Sequence, residues 1–347
     1  MCPALDNQNF FTFRQTGSAL GTATRIDPQL LSGWGIRPYD WQFSASVQQE
    51  LLPRVSAEVG YSRRSWGNFT VTDNLAIGPQ DFDTYTFTSP SDPRLATSGQ
   101  PLSYILRNNR TAFGAVDNYL TLASDYGDVT AYWQGVEMTV NARVNQGFTV
   151  QGGFTTGTGT RDFCDVATEL PELYATVGSI LLNAATTPIQ QASTCRIEEP
   201  WVWAWRGLGS YIVPKIDVQV SAIMRSQPNI TATNDPASNG QSMNATFFQT
   251  NAAIQAALGR PIAGGAPTVA LDLAKPGEVY PDRLNTVDMR FTKILRFGRT
   301  RTALNVDLYN ALNTDAILTQ SNEYSAWQRP LLLLPARFFK FSMTMDF

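Results

Sequence analysis

Along most of this chain apolar and polar side chains alternate with a period of two, and the alternating stretches are joined by very short and very long connections in turn. The C-terminal run Ala336 to Phe347 (ARFFKFSMTMDF) shows the pattern most plainly. Phe339, Phe341, Met343, Met345 and Phe347 share one parity; Lys340, Ser342, Thr344 and Asp346 share the other. Because strand side chains point alternately to two faces, this is a strand with one bulky apolar face and one polar face. Ending on an aromatic, it suits lipid on one side and water on the other. A soluble β-sandwich with decorated loops is the alternative fold.

Four hairpins precede that strand. Trp41, Phe43, Ala45 and Val47 lead to a turn at Leu52-Pro53 and return through Val55, Ala57, Val59 and Tyr61. Val136, Met138, Val140, Ala142 and Val144 turn at Asn145-Gln146-Gly147 and return through Phe148, Val150 and Phe154. The third hairpin descends from Trp201, turns at Pro214-Lys215 and climbs through Ile216, Val218, Val220, Ala222 and Met224. The fourth turns at Gly298-Arg299 and returns through Leu304, Val306 and Leu308. Between them, residues 67–128, 158–200, 228–282 and 313–335 lose the alternation. Short strands are expected there near Thr84 to Thr88 and Tyr119 to Leu122, and helices near Pro171 to Asn183 and over Asn251 to Leu258, the latter ended by Gly259. Residues 1–40, broken by Gly and Pro, read as an irregular, truncated lead-in, and 41–347 as one unit. Short turns at one end and long connections at the other are the asymmetry of an outer-membrane barrel. The fold class is thus all-β, an antiparallel transmembrane β-barrel of which about nine strands are visible; parity puts the C-terminus in the periplasm.

Composition agrees. With 16% charged residues and no apolar run of about 18 residues, the chain has no transmembrane helix, and an alternating barrel hides from such scans. A net charge of −3 without a basic stripe argues against nucleic acid. Histidine is absent, which removes the commonest general base and metal ligand and argues against an enzyme; no metal and no cofactor are expected. The N-terminal residues lack the pattern of a signal peptide, so an upstream start is expected.

The charges Glu58, Arg64, Glu137, Arg143, Asp217, Arg225, Asp288, Arg290 and Asp307 recur on the polar parity. They are the most ligand-like set, and mixed-sign rows of this kind also pair across strands. Lys293 falls on the apolar parity and must snorkel. Trp66, Trp133, Trp201, Trp203 and Trp205 lie near strand tops, where amphipathic rings form an outer girdle; sugar stacking is the other use of such residues. The carboxylate pair Glu198-Glu199 lacks the spacing of a catalytic or Ca²⁺ site and reads as solvated loop charge.

DWQFSASVQQELLPRVSAEVGYSRRSWGN (40–68), LTLASDYGDVTAYWQGVEMTVNAR (120–143), YIVPKIDVQVSA (211–222), ILRFGRTRTALNVDLYNALNT (294–314) and the terminal ARFFKFSMTMDF together resemble the C-terminal part of TonB-dependent outer-membrane receptors, specifically the Oar-like group with a carboxypeptidase-regulatory-like domain. The resemblance implies a barrel of about 22 strands around an N-terminal plug, a TonB box upstream, and transport of a bulky solute across a Gram-negative outer membrane. It also implies outer-membrane lipid, TonB, the plug and the barrel assembly machinery as partners, with Phe347 as the assembly signal. It places the insertion bracketed by Cys164 and Cys195 outside the cell, where a disulfide persists. Two other functions stay open: a barrel that anchors an adhesion or display surface, and a soluble secreted carbohydrate-binding protein.

Overall fold

The computed structural model describes residues 24–108, 116–144, 147–175, 188–229, 243–261, 266–298 and 300–346. Its main sheet contains nine long strands: β1 (Tyr39–Leu52), β2 (Val55–Gly67), β3 (Thr130–Val144), β4 (Phe148–Asp162), β5 (Val202–Val213), β6 (Val218–Gln227), β7 (Leu284–Phe297), β8 (Thr300–Tyr309) and β9 (Phe338–Asp346). Each pairs antiparallel with the next in sequence, and among the described residues no ladder joins β1 to β9, so the sheet is an open arc. Arg196–Glu198 adds a short strand beside the far end of β4. All the short turns fall at one end of the arc and all the long connections at the other. Arg54, Lys215, Asp217 and Gly298 take positive φ in those turns. Ile216, expected to open β6, lies instead within the turn. The chain is still reversing at Lys215 and Asp217, and the ladder starts at Val213 opposite Val218.

Register turns the sequence parity into two surfaces. Phe341, Val306, Phe291, Val220, Tyr211, Phe148 and Val144 are successive cross-strand partners on one face. Lys340, Asp307, Arg290, Ser221, Ser210, Thr149 and Arg143 are successive partners on the other. We call these faces outward and inward. The outward one is bare: Phe341 is 76% exposed, Met343 61% and Phe339 60%. A sandwich requires a second sheet over such residues, and among the described residues none covers them, so the sandwich alternative fails. Lys293 does lie outward, between Val218 and Leu304, and its Nζ reaches the Ile216 carbonyl at 2.5 Å beyond the strand end.

The long connections are more ordered than their sequence suggests. Three hairpins, Phe82–Thr88 with Pro101–Arg107, Thr246–Thr250 with Thr268–Asp272, and Ile317–Gln320 with Pro330–Leu333, fold together as a cap. Tyr104, Met243, Ile254, Leu271, Leu273 and Trp327 are buried in its core. Asp272, fully buried, ties three connections together: its carboxylate accepts from the Ala245 and Ala274 amides (2.9 and 3.2 Å) and from Gln190 Nε2 (3.1 Å), while Tyr104 donates to its carbonyl at 2.8 Å. The principal core therefore lies in the cap and not against the main sheet, most of whose large apolar side chains face outward. The Asn251–Leu258 helix is present, capped by Thr250 and ended by Gly259 at φ 69°. In the second connection the helix is Cys164–Glu169, followed by a 3₁₀ turn over Pro171–Ala175; the remainder of the helix expected to Asn183 lies outside the described residues. Residues 24–40, expected to be irregular, carry a short strand, Arg25–Ile26, that pairs parallel with Asn118–Leu122. Thr70–Asn74 pairs on the other side of that strand.

Candidate ligand-binding site

Where the inward face meets the long connections, the chain forms an open cavity of about 620 Å³, within the range of about 300–1,000 Å³ usual for small-molecule pockets. One wall is the sheet, through Trp66 on β2, Trp133 on β3 and Arg161 on β4. The opposite wall is a small apolar cluster containing Val71, Ala123, Val166 and Leu170, with Phe69, Val129 and Leu173 packed against it. Ile197 and Glu199 close the side.

Each wall has a local cause. Trp133 faces Gly159 across the ladder, with Gly135 and Gly157 as the next inward pair. A Cβ at either Gly135 or Gly157 would fall 2.5 Å from the indole, so these glycines form a bed on which the ring can lie. Trp66 is held by Arg64, whose guanidinium carbon is 5.1 Å from the ring centroid and which also pairs with Asp40. On the far side, the disulfide between Cys164 and Cys195, with Cα atoms 4.8 Å apart, joins the helix carrying Val166 to the strand carrying Ile197.

Glu199 owes its position to register: Glu198 stands opposite outward Thr160, and the next residue's amide donates to the Gly159 carbonyl at 2.8 Å, which puts its side chain on the inward face. Glu198 pairs with Thr160 and Val202 with Gly157, so three residues, Glu199 to Trp201, stand opposite two, Thr158 and Gly159. The extra residue falls after Glu199, and the two neighbouring carboxylates part by ordinary strand alternation. Glu198 turns outward and pairs with Arg196. Glu199 turns in above Gly159, where a Cβ would sit 3.1 Å from its Oε2. It is therefore half-buried, not the solvated loop charge read from the sequence. Burial pushes its carboxyl up and nearby Arg161 opposes the shift. Arg161 and Glu199 do not close an ion pair, and neither side chain hydrogen-bonds to a described residue. Tyr280, beside Glu199, has its phenol pushed up to about 12, by burial and then by the Glu199 charge.

The nine charges of the polar parity all fall on the inward parity. Arg290 pairs with Asp307 (2.5 and 3.0 Å), Arg64 with Asp40, and Asp217 with Arg296 at 3.4 Å; Asp288 accepts from the Asn310 amide at 2.8 Å. Glu58, Glu137, Arg143 and Arg225 make no side-chain hydrogen bond or ion pair with a described residue. The set is spread along the arc and does not converge on one site.

The aromatic assignment needs correction. Trp203 and Trp205 face outward, opposite Thr156 and Phe154, and exposed Trp201 precedes β5 on the same parity. Trp66 and Trp133 face inward, in register with Ala131 and Gly159, and line the cavity instead of an outer girdle. Proximity to the strand tops was a poor guide because parity, not height, decides the face. Tyr39, Trp41 and Tyr132 are outward aromatics at that end. At the short-turn end Phe148 packs edge-on to Tyr211 at 6.1 Å. Phe347 lies outside the described residues.

Fold and site together define an arc of antiparallel β-barrel with an apolar outer surface, a polar inner surface and a capped cavity at the long-connection end. No family model matches the chain, and no curated protein matches it. Among solved structures, the outer membrane transporter YddB from Escherichia coli is similar at a TM-score of 0.37 and 9% identity, covering 90% of this chain and 32% of that one. This chain thus spans about a third of that protein's length.

Proposed function

We propose that the chain is the C-terminal arc of a TonB-dependent transport barrel in a Gram-negative outer membrane, with the short turns and the C-terminus in the periplasm. The observation that carries this reading is the outward apolar face, left uncovered by the described residues, backed by an inward face that carries all nine charges of the polar parity, some of them in ion pairs. Lipid solvates the first and water the second. Further strands and a plug from the intact gene product complete the lumen, and TonB acts through that plug. The cap binds a bulky solute outside the cell, and barrel assembly machinery engages β9.

Epitope tags in the intact protein test this orientation. A tag between Lys275 and Glu278, in a long connection, is expected to be reached by antibody on whole cells, and one at Gly298 only after the outer membrane is permeabilised. Surface labelling at Gly298, or recovery of the protein in the soluble fraction, sinks the reading.

A further inference from the structure

We infer that the cavity between Trp133 and the disulfide-bridged connection binds a neutral saccharide unit. The inference names the ligand class of the transporter proposed above and rests on that reading only in treating the ligand as cargo. Three features select this chemistry. First, the indole of Trp133 is bedded on Gly135 and Gly157, and Trp66 lines the same wall. Fixed, flat π-faces suit the C–H face of a pyranose ring, and a ring seated on backbone loses little freedom when a ligand stacks on it. Second, the charged groups that line the cavity are one carboxylate and one guanidinium, Glu199 and Arg161, neither of them hydrogen-bonded through its side chain to a described residue. A carboxylate accepts from two hydroxyls and a guanidinium donates in a fixed fork, so the two can grip vicinal hydroxyl groups of one ring. Third, the charges cancel. An ammonium ligand would meet Arg161, a carboxylate or phosphate would meet Glu199, and a ligand without hydroxyls would leave both desolvated and unpaired. A neutral polyhydroxylated ring satisfies all three; a zwitterion can pair with both charges but offers the two indoles no extended C–H face.

The test is binding to the intact protein in detergent, read by tryptophan quenching against neutral oligosaccharides of glucose, mannose, galactose, xylose and N-acetylglucosamine, with hexyltrimethylammonium and hexanoate as charged controls. At least one oligosaccharide is expected to bind more tightly than either control. Glu199→Gln and Arg161→Gln are each expected to weaken that binding by about tenfold, the loss of one charge-assisted contact. Gly157→Ala, whose added Cβ displaces the Trp133 ring, is expected to do the same, while Trp205→Ala on the outward face leaves affinity unchanged. Absence of binding across the oligosaccharides, tighter binding of a charged control, or full affinity in Glu199→Gln overturns the inference. Because the measurement needs neither TonB nor a membrane, its failure is separate from failure of the tag experiment. If Gly157→Ala does not fold, the two isosteric substitutions decide.

Discussion

Breaking the Cys164–Cys195 disulfide should loosen one wall of the cavity and leave the main sheet intact. The two residues are 31 apart in sequence, and closing a loop of that length removes about 12 cal/mol/K of chain entropy from the unfolded state, or about 3.7 kcal/mol at 25 °C. Native strain would reduce that figure. The stabilisation falls on the elements the bond joins, Cys164–Glu169 and Arg196–Glu198, because Ala167 of the first and Cys195, which leads into the second, share a small buried cluster with Tyr174. A Cys164→Ala/Cys195→Ala variant should therefore lose up to several hundredfold of local protection from hydrogen exchange over 163–175 and 196–199. Strands β7 and β8 share no ladder with these segments and should exchange as before. Mass-spectrometric exchange on the protein in detergent, oxidised and reduced, reads both regions at once. Unchanged protection at 196–199, or a loss that spreads to β7 and β8, would refute the reasoning that the bond clamps this wall alone.

Other parts of the molecule give independent tests. Val306→Arg on the outward face should cost about 2–4 kcal/mol in guanidinium unfolding from lipid vesicles, and Asn305→Arg on the inward face under about 1 kcal/mol. Asp272→Ala removes three acceptor contacts from a fully buried site and should destabilise the cap by at least about 3 kcal/mol, seen as rapid proteolysis of the long connections while β6 to β8 stay protected. Asp92 accepts from Arg94, which also lies 5.2 Å from the Trp327 ring centroid, and this hydrogen bond holds its carboxyl at about 2, below the usual 3.8. A lowered pKa contributes stability that is present above the unfolded value and lost as pH falls through the folded one. The cap should therefore weaken between about pH 4 and pH 2, and Asp92→Asn should flatten that acid limb in a thermal-melt series.

Nine strands were legible because the outward parity is large and apolar in each, and because Pro53, Gly147 and Gly298 mark reversals with turn chemistry. The helix over Asn251–Leu258 was legible from its Gly259 stop. Parity also contained the correct placement of Trp66 and Trp133, since Trp66 shares its parity with Arg64 and Trp133 with Glu137; their position along the strands drew attention to the wrong surface. The cap core was not legible. Tyr104, Met243, Leu271 and Trp327 come from different connections, and no period links residues so far apart in sequence. Glu199 was hidden for a local reason: adjacent glutamates look alike until the pairing of Arg196–Glu198 with β4 fixes which of them faces inward.

Single nitroxide labels placed at successive positions of β8, from Thr300 to Tyr309 in protein reconstituted into lipid vesicles, test the central claim most directly. If lipid faces the outward surface, Thr302, Leu304, Val306 and Leu308 will be relaxed by oxygen and shielded from a water-soluble nickel chelate, with Ala303, Asn305 and Asp307 showing the reverse. Equal access of the chelate to both parities would contradict the account.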